Sequence, residues 1–151
     1  MISKKIYLVL LFTTILIING CGYTPIYSSK INSFKINNIE YEDNKINQRI
    51  VKSIKSISNI NSSNEISLII SSSKEKKILS KDKNGKAEKF ELRINLKVTY
   101  LDHVKTFSMK QNYNNFDNKF QLKEYENIIE KQLINGLIDS LINYITSTKW
   151  S

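Results

Sequence analysis

The 151-residue chain holds one cysteine, Cys21, and one histidine, His103, too few for most side-chain chemistry. A hydrolase needs a nucleophile, a base and an orienting group brought together. A zinc site normally wants several Cys or His ligands. His103 falls in a predicted turn and reads as a solvated residue rather than a general base. Four glycines, at 20, 22, 85 and 136, never cluster into a phosphate cradle. Carboxylates such as Asp82, Glu88 and Glu91 have no spacing that singles them out. The reading is a protein without catalysis, metal or cofactor, which leaves binding or assembly. A lone thiol cannot close an internal disulfide, so Cys21 is buried filler, a reactive group or an attachment point.

The neighbours of Cys21 decide. Lys4 and Lys5 form a charged start, Ile6 to Ile18 an apolar stretch, and Asn19 and Gly20 a small or polar exit, the layout of an export signal. Thirteen apolar or near-apolar residues fall short of the roughly 20 that span a bilayer. Ile18, Asn19, Gly20 and Cys21 look like a lipobox, in which the cysteine is diacylated, the chain cut before it and the new amine acylated. Asn19 is its unusual letter. The alternatives are an ordinary secretory signal with an incidental cysteine, or a short signal anchor. On the lipobox reading, residues 1–20 are a cleaved signal and Cys21 carries S-diacylglycerol and an N-acyl chain such as palmitate. Each buried methylene contributes about 0.8 kcal/mol, so three chains hold the protein on a membrane almost irreversibly. Gly22 follows where inner-membrane lipoproteins often carry Asp, which points to the inner leaflet of the outer membrane, facing the periplasm.

Removal of the signal leaves 131 residues, enough for one compact domain, and lowers the net charge from +9 to +7. Such an excess favours anionic partners, although a chain crowded with Ile, Asn, Lys and Ser also gains lysines from AT-rich coding alone. An exported, tethered protein rarely meets nucleic acid, so anionic lipid or lipopolysaccharide is the expected target.

The elements that would position such a surface follow from periodicity. Residues 21–32, with Pro25, Ser28 and Ser29, read as a lipidated N-terminus and extended leader, and 33–151 as a single domain. A short strand from Ser33 to Tyr41 puts Phe34 and Ile36 on one face. From Asn44 to Ile60, Ile46, Ile50, Ile54 and Ile57 stack along one side of a helix. A second strand starts near Glu65, with Ile66, Leu68 and Ile70 on one face, Ile69 opposite and a polar far end. In the third, Phe90, Leu92, Ile94, Leu96, Val98 and Tyr100 alternate strictly with polar residues.

Between these two strands, Asn84 and Gly85 are expected to supply the positive backbone angles of a tight turn, with Lys81, Lys83, Lys86 and Lys89 crowding its tip. A turn at Asp102 and His103 leads to a fourth strand, Val104 to Tyr113, with Phe107, Met109 and Tyr113 in phase. The last helix, Gln121 to Thr146, carries apolar residues as adjacent pairs, from Ile128 with Ile129 to Tyr144 with Ile145. Its stripe is wide enough for core packing and, in part, for a partner. The order predicts an α+β two-layer sandwich, β-α-β-β-β-α, with two helices on one face of a four-stranded mixed sheet. The first two strands should be parallel, joined by a right-handed crossover, and the rest antiparallel hairpins.

With these elements in place, the mature opening "CGYTPIY" resembles the LPS-assembly lipoprotein LptE family, particularly its alphaproteobacterial branch. Alternating strands, a polar hairpin and a final helix entered through "KEYENIIEKQL" extend the likeness by pattern. The resemblance implies a plug inside the outer-membrane β-barrel LptD that helps the barrel assemble, contacts lipopolysaccharide in transit and catalyses nothing. It also implies that basic residues on a strand or its connecting loop bind lipopolysaccharide; the nearest candidates are Lys81, Lys83, Lys86 and Lys89, with a solvated turn as the alternative. A lipoprotein bracing some other envelope complex is the rival from a different class.

Overall fold

The computed structural model describes residues 34–147; Cys21, the signal, the leader and Ser33 lie outside them. Six elements follow in the order strand β1 (Lys35–Tyr41), helix α1 (Lys45–Ile57), strands β2 (Glu65–Lys81), β3 (Ala87–Tyr100) and β4 (His103–Asn114), and helix α2 (Lys119–Ser147). The strands lie in the order β1-β2-β3-β4, β1 parallel to β2 and the other pairs antiparallel. This is the expected four-stranded mixed sheet with two helices.

Strict alternation in β3 aims Phe90, Leu92, Ile94, Leu96, Val98 and Tyr100 into one core with Ile66, Leu68 and Ile70 of β2. Helix α1 covers it with Ile46, Ile50, Val51 and Ile54. Helix α2 adds eight buried side chains, among them Leu133, Ile134, Leu137, Ile138, Leu141 and Ile142. The wide stripe is therefore consumed by ordinary packing, since α2 lies against both the sheet and α1; Ile128 alone of the paired residues stays half out, 51% exposed. Gly136 leaves room for β4, because a Cβ there would crowd the Sδ and Cε of Met109.

The structure changes several boundaries. Helix α1 stops at Ile57 rather than Ile60, because Ser58 turns extended and its Oγ accepts from the Ile36 N–H at 2.9 Å. Its start is fixed by Asn44, whose Oδ1 accepts from the Asn47 N–H at 2.8 Å. A bulge between Ile36 and Asn38 shifts the phase of β1, so Ile36 and Ile39 both pack against the core. The β3–β4 turn is one residue earlier than expected. Leu101 and Asp102 occupy it, with φ of 47° and 62°, and His103 already pairs with Tyr100 as the first residue of β4.

The β2–β3 turn also differs. Only Gly85 is left-handed there, φ 81°, and Asn84 is not. The loop is longer than a two-residue turn: Gly85 N–H donates to the Asp82 carbonyl, Asp82 N–H to the Lys86 carbonyl, and the Asp82 carboxylate accepts from the Asn84 and Lys86 N–H groups. A side chain that satisfies two loop donors removes the need for a second inverted residue.

Candidate functional site

The β2–β3 hairpin carries its cations to one end of the domain. Lys81 closes β2 opposite Ala87, Lys83 sits in the loop, Lys86 precedes β3, and Lys89 lies between Ser80 and Asn114. All four are exposed. They are not alone, since Asp82, Glu88 and Asp117 line a recess of about 580 Å³ together with Lys86 and Lys89; Lys81 and Lys83 stand outside it. Asp117 takes one cation, its Oδ1 lying 3.0 Å from the Lys86 Nζ. Asp82 is committed to its own loop, and Glu88 accepts from the Ser80 hydroxyl at 3.3 Å. Lys81, Lys83 and Lys89 make no ion pair among the described residues.

The end is stiffened by the connection between β4 and α2. Asn115 donates its N–H to the Glu88 carbonyl and its side-chain amide to the Ala87 carbonyl, each at 2.7 Å. Asn118 then caps α2 by accepting from the Phe120 N–H at 2.8 Å. These contacts bring Phe116 against Tyr125, with ring centroids 5.3 Å apart, and open a second recess of about 570 Å³. Phe90, Phe116 and Leu122 line it, with Lys86, Lys119 and Lys123 also at the wall. The sequence reading passed over Phe116, Lys119 and Lys123. Their signal was present in the alternation of Phe and Lys from 116 to 123, but nothing local places that stretch beside a hairpin thirty residues earlier.

Below this floor lies a polar cluster on the core side. Lys76 sits 4.1 Å over the Phe90 ring and pairs with Glu126, and Phe90 stacks on Tyr113 at 5.5 Å. The Tyr113 hydroxyl donates to Glu126 Oε1 at 2.7 Å. Burial works to raise the Glu126 carboxyl, but the Lys76 and Tyr113 hydrogen bonds outweigh it and leave it below the usual carboxylate range. Burial, together with the bond to Glu126, pushes the Tyr113 hydroxyl upward. Lys74 pairs with Glu130 one turn along α2.

Among the described residues no helix covers the other face of the sheet. Across it the Asn95 amide donates to the Ser73 hydroxyl at 3.3 Å, and the Ser108 hydroxyl donates to Asn95 Oδ1 at 2.8 Å. Glu91, only 6% exposed, lies between Arg93 at 2.8 Å and Lys110 at 3.4 Å. Its burial raises the carboxyl, and those two cations more than reverse the effect. His103 is exposed at the edge of β4. Among the described residues no three His, Cys, Asp or Glu side chains are placed to hold a metal ion. The arrangement suits recognition of an anionic group at an open, cationic end.

A mixed four-stranded sheet under two helices, with a long basic hairpin, places the chain in the α+β class and in the fold of known bacterial lipoproteins. The uncharacterized lipoprotein B from Nitrosomonas europaea matches with a TM-score of 0.63 over 84% of this chain and 92% of its own, at 15% identity. The rare lipoprotein B from Shewanella oneidensis gives 0.58 over 74% and 96%, at 14% identity. A minor lipoprotein from Acinetobacter baumannii gives 0.54 over 75% and 92%, also at 14%. At these identities the likeness establishes the fold. No family model matches the chain, and no curated protein does.

Proposed function

We propose that this chain is an outer-membrane lipoprotein, anchored through acylated Cys21 and facing the periplasm, that plugs an LptD-like β-barrel and assists lipopolysaccharide delivery to the surface. The observation that carries the reading is the coincidence of two independent features. The described domain has the fold of solved bacterial lipoproteins, and the sequence ahead of it carries the lipobox cysteine and the "CGYTPIY" opening. The resemblance of that opening supplies the barrel and the lipopolysaccharide.

Two features of the domain support a place inside a barrel. The open sheet face, with its Ser73, Asn95 and Ser108 ladder, suits a polar lumen. The lysine end can meet phosphates and carboxylates of a glycolipid core without a deep pocket. Cys21→Ser should leave the precursor uncleaved and unlipidated; normal processing of that variant would overturn the anchor. Photocrosslinking from Lys83 and from exposed positions of α2 in native membranes should trap a large, detergent-resistant barrel. Recovery of adducts only to other envelope proteins would sink the plug and favour the bracing role.

A further inference from the structure

We infer that the end of the domain opposite the lysines is a bilayer-contacting surface, with Leu101 as its foremost apolar side chain. The chain enters the domain at this end: β1 pairs Lys35 with Glu65 at the very start of β2, while β3 turns into β4 three residues further along. Loop 58–64 closes the same end, with Asn59 N–H on the Phe34 carbonyl and Lys35 N–H on the Asn64 carbonyl. Four large aliphatic side chains are left out in solvent there: Ile60 is 81% exposed, Leu101 61%, Val104 57% and Ile69 52%. Ile69 and Val104 flank Thr99 in one cross-strand row of the open face, where polar residues would serve the fold as well.

Leu101 is the least explained by folding. Both central residues of its turn have positive φ, an arrangement that Asn and Gly adopt at little cost and other side chains adopt with strain. A residue that suits neither its backbone nor its solvent exposure points to an external contact. Lys97, on the face of Thr99, and Lys105, opposite Val98 on the other face, make no ion pair among the described residues, which leaves both ammonium groups near this end open to phosphate headgroups.

Chain length selects the occupant. Twelve residues separate Cys21 from Phe34, a tether of at most about 45 Å at full extension. Strand β2 alone, 17 residues long, spans about 55 Å. A bilayer that holds Cys21 is therefore always within reach of this end, and contact here turns the lysines away from the anchoring leaflet. The inference rests on the lipid-anchor part of the proposed function and not on the barrel.

The test uses the acylated full chain with Trp150→Phe, which removes the native tryptophan. It is reconstituted in zwitterionic phosphatidylethanolamine and phosphatidylcholine vesicles with brominated acyl chains and no other protein. Leu101→Trp emission should fall at least two-fold and shift to the blue, whereas Lys83→Trp emission should not change. Leu101→Asn suits the turn better, so it should raise the unfolding midpoint while at least halving the quenching of Val104→Trp; a merely structural role would lower the midpoint and leave the quenching unchanged. Unquenched Leu101→Trp in a chain shown by mass spectrometry to be acylated overturns the inference and leaves the anchor standing. An unacylated chain overturns both. Disulfide-linked pairs from Leu101→Cys without quenching would reassign the surface to a second copy.

Discussion

Replacing Lys81, Lys83 and Lys89 together by Gln tests whether the hairpin end meets an anionic glycolipid. A lysine close to an anionic lipid surface contributes about 1 kcal/mol. Three cations without an ion pair therefore contribute about 3 kcal/mol, or roughly 150-fold in affinity at 1.4 kcal/mol per decade. Lys86 should count for less, because Asp117 already lies 3.0 Å away. That pair is exposed on both sides, so its own strength is below about 1 kcal/mol. Lys86→Gln should cost only a few-fold, and Asp117→Asn should tighten binding by a similar factor. Lipopolysaccharide titrations at about 10 mM salt, where the Debye length is about 30 Å, give the largest effect, and 0.15 M salt should erode it. The variants are all at exposed positions, so the unfolding midpoint serves as a control for intact folding. Unchanged affinity in the triple variant, or an equal loss from Lys86→Gln and Lys83→Gln, would refute the reasoning.

Other expectations concern the scaffold. Gly136→Ala should gain about 1 kcal/mol of helix propensity and displace only the flexible end of the half-buried Met109 side chain, which offsets part of that gain. The gain should be smaller in the native background than in a Met109→Ala background, where it reaches about 1 kcal/mol; an equal gain in both, read by urea unfolding, contradicts the close approach. Glu91 and Glu126 are both held below the ordinary value of 4.5, so their stabilisation is complete above that pH and is lost as the pH falls through their lower folded values. The urea midpoint should be flat from pH 7 to 5 and drop below 4.5, and Glu91→Gln should flatten part of that drop. A parallel curve for the variant would show that Arg93 and Lys110 do not hold the carboxylate.

Much of the scaffold was legible because it depends on local period. Six alternating apolar residues in β3 admit one strand and one buried face, and Ile46, Ile50 and Ile54 admit one helix side. The lysine cluster was legible as well, since a hairpin brings its own neighbours together. Its electrostatics were not. Asp117 reaches Lys86 from 31 positions away, and Asp82 spends its charge on the loop backbone. Lys74 and Lys76 read as the polar far end of a strand, yet they face α2 and pair with Glu130 and Glu126, 56 and 50 positions later. Turn residues misled for a related reason: Asn84 has the propensity for an inverted backbone, but Asp82 satisfied the loop, while Leu101 lacks it and adopts it.

What the sequence by itself determined is therefore the periodic part, four strands and two helices with their buried faces, and the grouping of four lysines on one hairpin. It also carries Cys21, whose meaning lies in its neighbours. Only the tertiary structure decided which lysines keep their charge free, that Phe116, Lys119 and Lys123 join Lys86, and that Leu101 stands exposed at the end where the chain enters. The physical reason is range. Side-chain alternation is written within a few residues, whereas the partner of a charge and the surroundings of a turn depend on segments that meet only when α2 crosses the sheet.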